Sequence, residues 1–214
     1  MLRRFIILTF CCLATILIAA QPRLEEPEMY FGFHGGVIGS MVRFRPAVDI
    51  SLQPPVLGGN AGLVFRYANT KYTAIQVEMN YMHRGWHEAK TDYFRHLDYI
   101  EIPLLMHLYF GKKVRGFLNL GPQFGYCVAQ YDKNGEGLSG HQYEPIDKPW
   151  DWGLAAGLGL QVNTKKAGAY FLEARFNFSF GDLYNNHASD YFRTSAPMDL
   201  SVNLGWMWCQ LQKQ

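Results

Sequence analysis

From Met29 to Cys209 the sequence falls into eight stretches in which apolar and polar positions alternate, parted by connections that are in turn long and short. The clearest stretch is Ile100-Glu101-Ile102-Pro103-Leu104-Leu105-Met106-His107-Leu108-Tyr109-Phe110. Its even positions are all apolar, and its odd positions include Glu101, His107 and Tyr109. An extended chain sends successive side chains to opposite faces. One face of each stretch is therefore apolar and the other accepts charge. In a water-soluble sandwich the apolar face points inward; in a membrane barrel it meets lipid and the polar face fills the lumen.

The alternation predicts strands near 29–40, 58–69, 73–86, 97–110, 115–130, 150–163, 169–181 and 198–209. The long connections fall near 41–57, 87–96, 131–149 and 182–197; the short ones are Asn69-Thr70-Lys71-Tyr72, Gly111-Lys112-Lys113-Val114 and 163–168. An even strand count with both termini periplasmic gives this order, because outer-membrane barrels have short periplasmic turns and longer extracellular loops. The expected fold is all-β: an eight-stranded antiparallel up-and-down transmembrane β-barrel.

The first residues favour lipid over water as the solvent of the apolar face. Met1-Leu2-Arg3-Arg4 is basic, Phe5 to Ala20 is apolar, and Ala19-Ala20-Gln21 offers small residues for cleavage. This reads as a signal peptide over 1–20, with a barrel domain over 21–214. The apolar run is short for a spanning helix, which needs about 20 residues. Of the 20 Lys and Arg, two lie in this leader, which has no acid; 18 remain against 18 Asp and Glu. That balance gives no electrostatic footprint for nucleic acid, and none is expected as a partner. Of four cysteines, Cys127 and Cys209 lie outside the leader. They fall at opposite strand ends, so both should be free thiols.

Parity sorts the strand residues. The predicted lipid face includes Leu118, Leu120, Phe124, Trp152, Leu154, Leu158, Leu172, Phe176, Leu204 and Trp208. The opposite face carries Asn119, Gln123, Gln161, Asn177, Ser201 and Asn203. Leu120→Arg and Leu158→Arg should therefore be worse than the inward changes Asn119→Ala and Gly159→Ala. Aromatics gather near strand ends as an interfacial girdle requires. Tyr67, Phe110, Tyr170, Trp206 and Trp208 are placed at the periplasmic edge, and Tyr81, Trp86, Tyr126, Trp152 and Phe180 at the outer edge.

The segments Phe33-His34-Gly35-Gly36, Ile75-Gln76-Val77-Glu78-Met79-Asn80-Tyr81, Tyr99-Ile100-Glu101-Ile102-Pro103-Leu104-Leu105 and Asn119-Leu120-Gly121-Pro122-Gln123-Phe124-Gly125 resemble the recurring motifs of PorT-like outer-membrane β-barrel proteins. So do Trp152-Gly153-Leu154-Ala155-Ala156-Gly157-Leu158-Gly159 and Glu173-Ala174-Arg175-Phe176-Asn177. The resemblance covers nearly the whole chain after the leader, and it implies an eight-stranded barrel in the outer membrane of a didermal bacterium. The role in protein export that gave the family its name is not carried over with it.

Parity also assembles the main chemical candidate. Arg66, Glu78, Arg84, Glu101, Asp151, Glu173, Arg175 and Asp199 all fall on the inward face. Unpaired charge in a narrow interior costs several kcal/mol, so a neutralising network is expected, with Arg66 near Glu78, Arg84 near Glu101 and Glu173 beside Arg175. A gated ion path or an acid pair for general acid–base catalysis are the functional rivals. His83 and His87 are about 13 Å apart if extended, too far for one metal ion. His96 could close on His87, but a rim position is the simpler reading. His34 and His107 read as hydrogen-bonded lumen fillers. Gly137-Leu138-Ser139-Gly140-His141 approaches a nucleophile elbow but lacks the second glycine and the strand–turn–helix context. No cofactor and no metal site is expected.

Specific binding is expected in the long loops. Residues 87–96 hold Lys90, Asp92, Tyr93, Phe94 and Arg95, and 182–197 hold Tyr184, Tyr191, Phe192 and Arg193. Such residues anchor protein or glycan partners, pack together as a lid, or sit among outer-membrane lipid. Lys71, Lys112, Lys113, Lys165 and Lys166 mark the short turns. The expected function is non-catalytic: structural, adhesive, or accessory to envelope assembly. A narrow channel for ions or small solutes is the first alternative, and an enzyme working at the outer rim the second.

Overall fold

The computed structural model describes residues 22–45, 55–134, 136–137, 143–164, 167–185 and 194–209. Residues 1–21, 46–54, 135, 138–142, 165–166, 186–193 and 210–214 lie outside these, and with them the signal peptide and the near-elbow at 138–141. Eight strands run in order: β1 (Arg23–Arg45), β2 (Val56–Thr70), β3 (Thr73–Glu88), β4 (Tyr93–Gly111), β5 (Val114–Lys133), β6 (Trp150–Thr164), β7 (Gly168–Ser179) and β8 (Thr194–Cys209). Each pairs antiparallel with the next, and β8 pairs with β1 from Tyr30↔Cys209 to Arg45↔Thr194. The sheet is a closed barrel. Closure leaves no free edge where backbone groups would face hydrocarbon unpaired.

The pleat runs as the alternation requires. Leu118, Leu120, Phe124, Trp152, Leu154, Leu158, Leu172, Phe176, Leu204 and Trp208 all stand exposed on the outer face. In water this would be a very large sticky patch; against acyl chains it is the complementary surface. No helix among the described residues is long and apolar enough to cross a membrane. Two turns at the end bearing the termini use glycines at positive φ, Gly111 at 112° and Gly168 at 78°. Other residues enter that conformation only with strain, and these turns are short enough to need it.

Three expectations change. First, the strands outrun the bilayer: β1, β4 and β5 have 23, 19 and 20 residues, whereas crossing takes about 9–11. The predicted loop 87–96 is mostly strand, because β3 continues to Glu88 and β4 begins at Tyr93. Only residues 89–92 connect them, with Asp92 at a φ of 51°. Likewise, within 182–197, β8 starts at Thr194. Second, a bulge interrupts β4 and β5: Tyr99 faces Cys127 but Asp98 faces Ala129. The extra residue, Val128, reverses the parity of β5 beyond it. Third, Trp86 is not a girdle residue. It is 1% exposed and points into the barrel, since its even number in β3 matches inward Met82 and Arg84.

Candidate functional site

All eight predicted lumen charges are buried. Seven of them form two clusters, one above the other, and Arg66 reaches the first through Gln76. In the first, Arg175 donates from Nη1 to Glu78 Oε2 at 2.6 Å and from Nη2 to Glu78 Oε1 at 2.7 Å. It also donates to Glu173, from Nη2 at 2.7 Å and from Nε at 3.1 Å. Asn80 and Asn119 donate to the remaining positions on Glu78 and Glu173, each at 2.9 Å. His34 meets Asn80 at 2.9 Å and His107 meets Asn119 at 2.6 Å. Bidentate guanidinium–carboxylate pairs with satisfied outer oxygens are the geometry in which a buried ion pair offsets its desolvation.

The second cluster lies toward the long loops. Arg84 Nη2 donates to Asp151 at 2.7 Å, and Nη1 lies 2.8 Å from Glu101 and 3.2 Å from Asp199. Its guanidinium sits 3.9 Å from the centre of the Tyr99 ring, a favourable desolvated cation–π contact. Ser179 donates to Asp151 and Asn177 to Asp199, both at 2.7 Å. The expected pairs Arg84–Glu101 and Arg175–Glu173 are present. The expected Arg66–Glu78 pair is not. Arg66 donates to Gln76 at 2.6 Å and to Gln161 across the lumen, and Gln76 in turn donates to Glu78. Gln76 stands directly opposite Arg66, so it captures the guanidinium before the diagonal carboxylate can.

Apolar layers close this polar middle at both ends. Near the termini, Tyr30, Val64, Tyr109, Phe117, Phe171 and Met207 pack together. Under the long loops, Val42, Trp86, Tyr93, Leu97, Tyr99, Leu183 and Tyr184 form a second cluster, joined by Tyr143 and Ile146. Tyr184 and Tyr93 are thus buried parts of a lid. Burial raises the Tyr184 phenol well above its usual range. Backbone bonds stitch the two contributing loops, with Asp147 N and Lys148 N each 3.0 Å from Leu183 O. Arg95 donates to the carbonyls of Tyr143 and Glu144 at 2.7 and 2.9 Å. The alternation alone does not distinguish Asn80, Ser179 and Tyr99, nor Tyr143 and Ile146; Tyr93, Arg95 and Tyr184 come from the loops expected to anchor partners or pack as a lid, and they form the lid. Asn80 and Ser179 carry the right inward parity, and Trp86 does too.

On the outer face, just past the apolar band, Asp98 is nearly sealed from solvent at 3% exposure. His83 Nδ1 donates to its Oδ1 at 2.5 Å and the Tyr131 hydroxyl to its Oδ2 at 2.9 Å. Burial raises the Asp98 carboxyl, but hydrogen bonds from His83, Tyr81 and Tyr131 outweigh it and hold the pKa below its ordinary value. His87 pairs with Asp92 at 3.2 Å and does not meet His96. Among the described residues, no three His, Cys, Asp or Glu side chains converge on a point that would hold a metal ion. No disulfide joins Cys127 and Cys209.

A closed eight-stranded sheet, apolar outside and ion-paired inside, defines a small outer-membrane barrel. The chain belongs to the family described as outer membrane protein beta-barrel domain, whose model matches residues 19–185, and it is a protein of the bacterial outer membrane. The crystal structure of Neisserial surface protein A is 11% identical, with a TM-score of 0.53 over 85% of this chain and 99% of that one. OprG of Pseudomonas aeruginosa is 11% identical, with a TM-score of 0.48 over 85% of this chain and 95% of its own. The attachment invasion locus protein of Yersinia pestis is 13% identical, with a TM-score of 0.43 over 84% and 98%. At such identity the likeness to the Neisserial protein is one of fold. No curated protein matches the chain.

Proposed function

We propose that this protein is a non-catalytic scaffold of the outer membrane with a solid core, presenting its strand extensions and long loops at the cell surface. The observation that carries the reading is the pair of buried clusters on Arg84 and Arg175, closed above and below by apolar side chains. An eight-stranded barrel is just wide enough for side chains to fill, whereas aqueous porins use 16–18 strands. A structural, adhesive or envelope-assembly role fits such a filled barrel. Lipid is its obligatory partner, and a protein or glycan partner would meet the outer connections. The motifs quoted above support membership of the PorT-like group. The leader is removed near Gln21, and both termini lie in the periplasm.

Conductance tests this against the narrow-channel reading. In planar bilayers the protein is expected to show no steady, porin-like current, and liposomes carrying it should not swell in sugars. A large stable conductance in the unmutated protein would overturn the scaffold reading. If Arg84→Ala opened a pore, the ion pairs would be a gate and the channel would become the better function.

A further inference from the structure

Beyond the lipid-facing band, which ends at Tyr81 on β3 and Ile100 on β4, the outer face of this hairpin carries a column of parallel rings. His87 and Phe94 stack with centroids 3.9 Å apart, Phe94 and His96 lie 6.3 Å apart, and His96 and His83 5.0 Å apart. The interplanar angles are 9°, 7° and 14°. The His83–His96 end of the column differs from the other because its carboxylate takes Nδ1 of His83, whereas Asp92 takes Nε2 of His87. With Nδ1–H committed to Asp98, the free nitrogen of His83 is Nε2, and its lone pair is available. A carboxylate on the far ring nitrogen is the arrangement that fixes tautomer and raises basicity in metal-bound histidines. In His96 Nδ1 is buried without a hydrogen-bond partner, and Nε2 is the nitrogen assigned to the ion. Neutral imidazole is the ligand form.

We propose that His83 and His96 form a two-imidazole chelate for a divalent transition ion of the zinc, nickel or copper type at the outer rim of the barrel. Imidazole pairs suit these ions, whereas magnesium and calcium call for oxygen donors. Two nitrogens bound tetrahedrally to one zinc ion at about 2.0–2.1 Å stand roughly 3.4 Å apart. The stacked rings must therefore tip their Nε2 ends together, and His83, with its side chain 37% exposed, has room to do so. Water completes the coordination. Such an open site loads and releases an ion and does not hold the fold together. Asp98 acts as a positioning residue through His83, under Tyr131 and Tyr81. His87 is engaged by Asp92 and Phe94 and takes no part.

The test uses the full chain, without a histidine tag, folded in detergent micelles and titrated with Zn²⁺ alone by calorimetry and with Cu²⁺ by electron paramagnetic resonance. One ion per barrel and a two-nitrogen copper spectrum are expected. His83→Ala and His96→Ala should each remove the site, and Asp98→Asn should weaken it by about 10–100-fold. His87→Ala should leave it unchanged. Each variant is first checked for the gel shift of the folded barrel, and the nitrogen count on the unmutated protein stands without any variant. A titration without binding, a one-nitrogen spectrum, or binding that survives both His83→Ala and His96→Ala overturns the proposal. The last result would assign the ion to other histidines, such as His141 or His187.

Discussion

Arg175 serves two carboxylates and Arg84 serves three, and the difference has consequences for single substitutions. Glu78 and Glu173 balance their guanidinium with two oxygens each, whereas Glu101, Asp151 and Asp199 crowd around Arg84. Removing the cation leaves buried like charges facing each other, so Arg84→Ala should cost about 3–5 kcal/mol. Glu101→Gln removes one of three mutually repelling charges and should be near neutral or stabilising, read as the midpoint of urea unfolding in vesicles. The glycines show what parity cannot. Gly159→Ala is expected from its inward position to be milder than Leu158→Arg. In the structure a methyl there meets Phe117 Cζ at 2.3 Å and the Leu172 carbonyl at 2.4 Å. Overpacking of this kind costs about 1–3 kcal/mol, comparable with the roughly 2–4 kcal/mol for an arginine at mid-membrane. Asn119→Ala is no milder in principle, since it removes the partner of His107 and one donor to Glu173. Which face a residue takes was legible from alternation; how tightly that face is filled depends on partners contributed by other strands.

The eight strands and their facing could be read from the sequence because lipid on one side and a filled lumen on the other impose a strict period of two. The strand ends could not. Above the membrane the outer face is no longer required to be apolar, and the period weakens at His83 and His96 although the ladder continues, Gly85 opposite His96 and Glu88 opposite Tyr93. The bulge at Val128 then moves Tyr131 to the same side as Asp98, a placement that simple counting reverses. Of the three readings open for the loop aromatics, Tyr93 and Tyr184 take the lid and are buried with Trp86. This assigns the lid a measurable role. Trp86→Ala removes a fully buried indole, a loss of about 3–5 kcal/mol, and frees the segment 143–149 from beneath. Chymotrypsin should then cut the folded protein faster after Tyr143, whose ring packs on that cluster. Equal cleavage of both proteins would mean that the backbone bonds to Leu183 hold the loop without the aromatic packing.

The arrangement of the whole molecule in the membrane rests on an asymmetry between its two ends. One end has the chain termini, short turns and exposed Lys112 and Lys113; the other has strand extensions, the lid and the tip residues Ala89 to Asp92. Outer-membrane barrels keep their short turns in the periplasm and send their longer connections outward. The lysine-bearing turns should therefore lie in the periplasm and the strand extensions outside. Lys90→Cys and Lys112→Cys, each made in a background with Cys127 and Cys209 replaced by alanine, separate the two orientations. A membrane-impermeant maleimide added to intact cells should label position 90 and spare position 112 until the envelope is permeabilised. The opposite pattern would turn the barrel over. It would place the ring column of His83 and His96 in the periplasm and leave only the short turns facing outward, and a surface-presenting role would then have no surface on which to act.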